Sequence, residues 1–203
     1  MHVVDDIKDN FDEWVKHYEY AGYQHVTLSA HKWKHIKYRC EVGGRYQQKR
    51  PTYKGCTMSE NFKDFQFFAN WHTTQVGYGL EGYDIDKDIL GNGKKVYSEG
   101  VCVLVPNALN KFLVASDAKR GAWPQGVHLH KDGKFMVQAG VNGVQSYFGL
   151  YDTPQQAAAV YKKVKEGEAR NWYEKLVARE FIVDERVIER MRTWTHICDW
   201  VAP

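Results

Sequence analysis

The stretch GVHLHKDGKFMVQAGVNGVQSYFGLYDTP, residues 126–154, decides the fold of the second half of this 203-residue chain. Apolar and polar side chains alternate along three runs, which Asp132-Gly133 and Asn142-Gly143 separate. Alternation with a period of two is typical of half-buried strands, and Asp-Gly and Asn-Gly dipeptides favour tight hairpin turns. The pattern therefore predicts a three-stranded antiparallel sheet.

A helix over about 154–167 is predicted directly after these strands. Thr153 can cap its first turn, Pro154 suits its first position, and apolar residues then recur on one face. Further helices are predicted at 169–180 and 184–192. Because a single helix covers only one face of a sheet, the other face stays open. The open face and its edge carry His128, His130, Lys131, Lys134, Met136, Gln138, Gln145 and Tyr147.

Before residue 115 the patterns are mainly helical. Apolar spacing of three and four residues predicts helices over 6–20, 29–42 and 59–72. A hairpin over 83–105, turning at Gly91-Asn92-Gly93, and a helix from Pro106 follow. We therefore predict an α+β protein with a helical region ending in a ββα unit (1–114), a linker (115–125) and a sheet module with a C-terminal helical extension (126–203).

The composition places the chain among globular proteins, with 43% hydrophobic and 26% charged residues. It has no run of about 18 apolar residues and no signal-peptide core near Met1, so we expect a cytoplasmic protein with no membrane partner. The four cysteines form no CxxC pair, and the nine histidines show no metal-ligand spacing. We expect the cysteines to be reduced and to pack as small apolar residues.

The net charge of +3 conceals strong local differences. Residues 1–20 hold six acids and two lysines, whereas residues 31–54 hold eight Lys or Arg against Glu41 alone. A basic segment interleaved with aromatic rings suits a nucleic-acid backbone, and it fits a solvated basic helix face equally well. The cations that we expect on a phosphate backbone are Lys32, Lys37, Arg39, Arg45 and Arg50.

The sheet module also resembles a known family. Gly133-Lys134-Phe135, the corner Gly149-Leu-Tyr-Asp-Thr153 and the helix Gln156-Ala-Ala-Ala-Val-Tyr161 are similar to the DNA-binding domain of plant ethylene-response factors (the Apetala type). The resemblance implies that the sheet lies in a DNA major groove. It also implies that base and phosphate contacts fall on His128, His130, Gln138, Gln145 and Tyr147. The plant domains use mostly Arg and Trp there, so we expect weaker binding by this module.

The first half resembles the front part of phage proteins that join an HNH-like segment to such a module. The matching pieces are Arg39-Cys40, Pro51-Thr-Tyr-Lys-Gly-Cys56, Asp86-Lys-Asp-Ile-Leu90 and Val105-Pro106 followed by Asn110. An HNH nuclease places a carboxylate, a general-base histidine and a helix residue around one metal ion. The resemblance implies that Asp86 and Asn110 hold Mg²⁺ or Mn²⁺, with Lys87 at the position of the catalytic histidine.

Lysine at its ordinary pKa is protonated at pH 7 and accepts no proton. Three alternatives follow: burial lowers the pKa of Lys87 enough for it to act as a base, a distant imidazole substitutes, or the site is degenerate and Lys87 binds phosphate. The candidate imidazoles are His31, His35 and His72. Asp84 and Asp88 would share a strand face with Asp86 if the strand is regular, although such residues also suit an acidic edge paired with Lys94 and Lys95.

These observations predict a phage-type protein that binds double-stranded DNA. It is either an HNH-like, homing-type metal-dependent endonuclease or a catalytically inactive regulator or host-directed inhibitor on the same scaffold. Mg²⁺ or Mn²⁺ is expected only in the active version. A protein partner and the oligomeric state both stay open.

Overall fold

The computed structural model describes residues 27–113 and 122–197. Chain contacts define two units, Met1–Val105 and Pro106–Pro203. This division falls earlier than the predicted boundary at residue 114, because Phe112 interacts within the second unit: its carbonyl accepts a hydrogen bond from Lys165 Nζ at 2.8 Å, and its ring centroid lies 5.3 Å from that of Trp194. The predicted helix over 6–20 and most of the predicted linker over 115–125 lie outside the described residues.

The N-terminal unit combines short helices with short strands. Thr27 begins the first helix, since its side chain accepts a hydrogen bond from the amide of Ala30 at 3.2 Å. The elements are α1 (Leu28–Cys40), α2 (Arg45–Lys49), a 3₁₀ turn (Pro51–Tyr53), β1 (Thr57–Met58), α3 (Glu60–Lys63), α4 (Phe65–Thr73), β2 (Tyr83–Asp86), α5 (Asp88–Gly91), β3 (Val96–Tyr97) and β4 (Val103–Pro106).

Large aromatic residues pack together in the core of this unit. Phe62 and Phe68 are fully buried with ring centroids 5.1 Å apart, and the indole of Trp33 donates to the carbonyl of Phe62 at 2.7 Å. The helix predicted over 59–72 is two helices, because Asp64 ends α3 and its side chain then caps α4 by accepting from the amide of Phe67 at 2.8 Å.

The strands of this unit pair differently from the predicted hairpin. β2 pairs with β4, whereas β3 pairs in parallel with β1, so that Thr57 lies opposite Val96. Residues 88–91 form helix α5 rather than a continuation of the strand. The reason is local: the Asp86 side chain accepts hydrogen bonds from the amides of Asp88 and Ile89, which begins a helix directly after β2.

The C-terminal unit confirms the predicted sheet on one helix. Its elements are α6 (Asn107–Leu113), β5 (Val127–Leu129), β6 (Phe135–Val141), β7 (Val144–Tyr151), α7 (Pro154–Val177) and α8 (Glu185–Arg192). The strand order is β5-β6-β7 with antiparallel pairing. Asn142 and Gly143 both have positive φ, 50° and 78°, as a two-residue hairpin turn requires.

Helix α7 covers one face of this sheet. Val137 and Ala139 from the sheet and Ala157 and Tyr161 from the helix are buried together in one core. The Thr153 and Gln156 side chains form a capping box at the start of α7. The helix then continues for 24 residues, so the two helices predicted over 154–167 and 169–180 are one. Within the described ranges, no helix has both the length and the apolar character to cross a bilayer.

Candidate nucleic-acid interface

The strand register fixes which side chains share the open face of the sheet. His128 lies opposite Met136, and Met136 lies opposite Leu150, which gives one row across all three strands. Gln138 lies opposite Tyr147 in the next row, and Gln145 lies opposite Gly140 in the row after that. Paired residues project to the same side of a sheet. The buried pair Val127 and Val137 therefore marks the helix-covered face, and these rows mark the opposite one.

Most of the predicted face residues are accessible there. His128 and Gln145 are exposed, Tyr147 is 58% exposed, and Gln138 is partly buried. Gln138 and Tyr147 are a directly opposed pair, so an amide and a phenol project together from the middle of the sheet. The structure thus brings together four of the sheet residues that the sequence predicts.

His130, Lys131 and Lys134 lie in the turn between β5 and β6 rather than on the face. His130 Nδ1 lies 3.1 Å from a carboxylate oxygen of Asp132, and its backbone closes the turn by hydrogen bonds with Gly133 and Lys134. Lys134 Nζ pairs with Asp152 at 3.0 Å. Lys131 is exposed at the tip of the turn. These side chains therefore stand at the edge of the face, and two of them already contact a carboxylate.

A β-bulge shapes the centre of the face. Met136 pairs with Leu150 and Gln138 pairs with Tyr147, so Val137 alone faces two residues, Phe148 and Gly149. Gly149 has a φ of 109°, which a side chain rarely allows. The bulge keeps Tyr147 and Leu150 on the same side of the sheet, although they are three positions apart and a regular strand would place them on opposite sides.

Helix α7 also fixes the hairpin at the far end of the sheet. The buried Glu168 side chain accepts a hydrogen bond from the amide of Asn142 at 3.0 Å, and Lys175 Nζ donates to the Asn142 side chain at 3.4 Å. The second half of α7 therefore holds the turn next to Gln145. The sequence gives no signal for these contacts, because they join residues more than 25 positions apart.

The predicted backbone-binding cations of the N-terminal unit divide into two groups. Lys32 donates to the carbonyl of Tyr83 and pairs with Asp84, and Arg39 donates to the Tyr97 hydroxyl at 3.3 Å. Both therefore hold the unit together. The other three cations, Lys37, Arg45 and Arg50, are exposed. The Lys37 ammonium lies 4.3 Å from the ring centroid of Trp33, and the Arg50 guanidinium lies 5.3 Å from the ring centroid of Tyr46.

Asp86 and Lys87, expected at a nuclease centre, are both buried. Burial raises the pKa of Asp86, while the amides of Asp88 and Ile89, which share its Oδ1 atom, oppose that rise. Lys87 forms an ion pair with Asp88, and its ammonium lies 5.4 Å from the Tyr97 ring centroid. Asp88 is outside the strand, so the expectation that it shares a strand face with Asp86 is wrong. Asn110 lies in α6, which belongs to the other unit.

These residues do not by themselves form a metal centre. One carboxylate oxygen of Asp86 is used as a helix cap, and the neighbouring side chain, Lys87, is a cation. Among residues 27–113 and 122–197, no three His, Cys, Asp or Glu side chains form a group that could hold a metal ion. A metal ion at Asp86 would therefore need ligands beyond those that the described side chains bring together.

The three imidazoles named as substitutes have different environments. His72 is fully buried, bonds to the Ser29 hydroxyl at 2.9 Å and stacks on Phe68, and burial lowers its pKa to about 4. It is a core residue. His31 and His35, by contrast, meet on the surface side of α1 with their Nε2 atoms 3.2 Å apart. Their spacing of four residues along α1 places the two rings side by side.

The three cysteines that the structure describes pack as the sequence predicts. Cys56 and Cys102 are buried in the aromatic core and Cys40 packs against it. All three are free thiols, and burial raises the pKa of Cys40 to about 12. Cys198 lies outside the described residues. A thiol that stays protonated at neutral pH is a poor nucleophile, so these residues are structural.

Comparison of the chain with protein-family models, with curated proteins and with solved structures found no match. The resemblance to the plant DNA-binding domains and to the phage HNH-like proteins therefore stays a prediction from the motifs. The candidate interface is defined by the geometry of the sheet itself.

Proposed function

We propose that this chain binds double-stranded DNA by placing the open face of the β5-β6-β7 sheet in the major groove. The observation that supports the proposal most is the register, which aligns His128, Gln138, Gln145 and Tyr147 on the face opposite α7. A major groove about 12 Å wide admits two strands side by side.

The chemistry of the face suits contact with base edges. A glutamine amide can pair with the N6 and N7 atoms of adenine, and apolar side chains such as Met136 can contact the thymine methyl group. Tyr147 offers a ring for sugar or methyl contact and a hydroxyl for phosphate. The face has no arginine, so a preference for A·T-containing sites over guanine-rich sites follows.

The charge around the face supports modest affinity. Lys131 and Lys134 stand at its edge, and Lys134 is paired with Asp152. With few cations placed for phosphate contact, few counterions are released on binding. The exposed Lys37, Arg45 and Arg50 of the N-terminal unit are candidates for additional backbone contacts.

Fluorescence anisotropy with a labelled duplex of about 20 base pairs, in about 50 mM salt, tests the proposal. We expect Gln138→Ala and Tyr147→Ala each to weaken binding by about tenfold, because each removes one central contact. Gln155→Ala is the matched control, since Gln155 is exposed on α7 away from the sheet face. Equal binding by all of these variants, or no binding by the parent chain, would refute the proposal.

The endonuclease is a second candidate, because one observation favours it. β2 pairs with β4, and α6 begins at the residue after β4, which is the ββα order of an HNH unit. The ion pair between Lys87 and Asp88 favours the non-catalytic alternative, a phage-type regulator or inhibitor in the host cytoplasm, because it engages the side chain at the expected general-base position with Asp88.

Nicking of supercoiled plasmid in Mn²⁺ or Mg²⁺ separates the two candidates. Asp86→Asn is the informative variant, because an amide oxygen can still cap α5 while the negative charge is lost. Cleavage by the parent chain that disappears in Asp86→Asn, with DNA binding retained, would establish the nuclease. Binding without metal-dependent nicking would establish the non-catalytic alternative.

A further inference from the structure

A cavity of about 200 Å³ lies between α1 and β2 in the N-terminal unit. Helix α1 lines it with His31, Lys32, His35 and Arg39, and β2 lines it with Asp84. The four helix residues fall within about 100° of one another around the helix axis, which explains why one face of α1 carries them all. Sheet-based DNA binding does not use this cavity.

The fixed charges of the cavity favour an anion. Lys32 and Arg39 contribute two cations, and the Asp84 carboxylate is the only acid among the lining residues that the structure describes. Lys32 donates to the carbonyl of Tyr83 at 3.2 Å and pairs with Asp84, which leaves one of its three N–H donors for another acceptor. The lining therefore has a net charge of +1 before either histidine is protonated.

The two imidazoles supply further donors. Their Nε2 atoms lie 3.2 Å apart and their ring centroids 4.5 Å apart, so one neutral ring donates to the other. Burial lowers the pKa of His31 and of His35, and Lys32 lowers both further, while Asp84 raises both. Arg39 also lowers the pKa of His35. An anion placed among these groups would reverse that balance and favour protonated rings.

We propose that this cavity binds a phosphate group through Lys32, Arg39 and the His31–His35 pair. The volume supports a single small anion, because pockets for drug-sized ligands measure about 300–1,000 Å³. The group could belong to a nucleic-acid phosphodiester or to a small phosphate compound, which share this chemistry. A divalent metal on the two imidazoles is disfavoured by the adjacent ammonium and guanidinium groups.

Isothermal titration of the full chain with sulfate and with inorganic phosphate tests the proposal. Sulfate keeps its charge between pH 5.5 and 8, so any pH dependence of its binding comes from the protein. We expect sulfate to bind about tenfold more tightly at pH 5.5 than at pH 8, because the histidine pair gains a proton. The imidazole resonances of His31 and His35 should shift with each anion.

Two variants with opposite expected effects make the test specific. His35→Gln should weaken sulfate binding at pH 5.5 by about tenfold and remove most of its pH dependence. Asp84→Asn should strengthen sulfate binding several-fold at pH 7.5, because it removes the carboxylate that competes with the anion. Lys163→Gln, which removes an exposed cation on α7 in the other unit, is the matched control and should change neither value.

Duplex binding by the same variants distinguishes a nucleic-acid phosphate from a small phosphate compound as the ligand of the cavity. If DNA occupies the cavity, His35→Gln weakens duplex binding at pH 5.5, and sulfate competes with the duplex. If a small phosphate compound is the ligand, duplex binding is unchanged. Both outcomes support the phosphate site. Sulfate binding by the cavity is independent of the sheet face, so Tyr147→Ala should leave it intact.

Absence of sulfate and phosphate binding at pH 5.5 would overturn the proposal. Sulfate binding that is unchanged in His35→Gln and in Asp84→Asn would also overturn it. Imidazole resonances that shift with Zn²⁺ but with neither anion would do the same. Circular dichroism of each variant ensures that lost binding is not lost folding. Failure of DNA binding with sulfate binding retained would refute the sheet proposal and leave the cavity proposal standing.

Discussion

Gly126, directly before β5, lies close to the Tyr161 ring of helix α7. Its φ is 73°, and a Cβ atom built there would lie 2.0 Å from the Tyr161 ring and 2.8 Å from the carbonyl oxygen of Gln138. Alanine at this position would therefore have an unfavourable backbone conformation, and its methyl group would clash with two neighbouring groups. The Tyr161 ring lies in the core between sheet and helix, so it cannot move aside without cost.

We expect Gly126→Ala to destabilise the C-terminal unit by about 2–4 kcal/mol. Gly133→Ala is the matched control: its φ is 77°, but nothing lies within 4 Å of its Cβ position, so only backbone strain of about 1 kcal/mol is expected. Urea unfolding of both variants measures the difference. Equal losses would mean that Tyr161 does not pack on Gly126.

His72 connects the stability of the N-terminal unit to pH. Its imidazole is fully buried, and its folded-state pKa of about 4 lies below the ordinary value of 6.5 because burial disfavours the charged form. The unfolded chain therefore binds more protons between these two values. The stabilisation is complete above about pH 6.5 and is lost as the pH falls towards 4.

The expected loss between pH 7 and pH 4 is on the order of 3 kcal/mol, the free-energy equivalent of that pKa difference. His72→Gln keeps a partner for the Ser29 hydroxyl but does not titrate, so its stability should fall less over this range. Urea midpoints at several pH values measure the effect, with His128→Gln as an exposed control. A parallel fall in parent and His72→Gln would contradict this assignment.

At the scale of elements, the sequence predicts the parts that local chemistry determines. The Asn142-Gly143 turn, the alternating strands and the Thr153 cap all act over a few residues, and the structure has each of them. Two elements differ from the prediction for local reasons that hydrophobic periodicity does not reveal. Asp64 caps a new helix, and Asp86 begins α5 where a strand was expected to continue.

Long-range contacts account for the remaining differences between the predicted and the observed structure. β3 pairs with β1 across about 40 residues, and Glu168 binds the amide of Asn142 from another element. No periodicity encodes such a pairing. The same holds for the candidate sites: the sheet face follows from alternation, whereas the cavity at His31 and His35 needs Asp84 from a distant strand.

Helix α7 gives a direct test at this scale, because Gly167 lies inside it without breaking it. The sequence predicts two helices that divide between 167 and 169, yet α7 is continuous there, and the Cβ position of Gly167 has nothing within 4 Å. We expect Gly167→Ala to stabilise the C-terminal unit by about 0.5–1 kcal/mol, since alanine loses less backbone entropy in a helix. A loss of stability would mean that α7 is divided at this position in solution.

At the scale of the whole molecule, the chain combines two units with different surfaces. The N-terminal unit has an aromatic core, a cationic cavity and a buried Asp86–Lys87 segment. The C-terminal unit has a sheet with one covered and one open face. DNA binding by the sheet and phosphate binding by the cavity are separate proposals, and each has a variant that leaves the other intact.

The central claim is that the open sheet face contacts duplex DNA, and amide chemical-shift mapping tests it most directly. The full chain labelled with ¹⁵N is titrated with a short A·T-containing duplex at low salt. We predict that the largest shifts fall on His128, Gln138, Gln145 and Tyr147, with the exposed residues at the start of α7 unaffected. Shifts confined to α7, or no shifts in the sheet at saturating duplex, would contradict the claim.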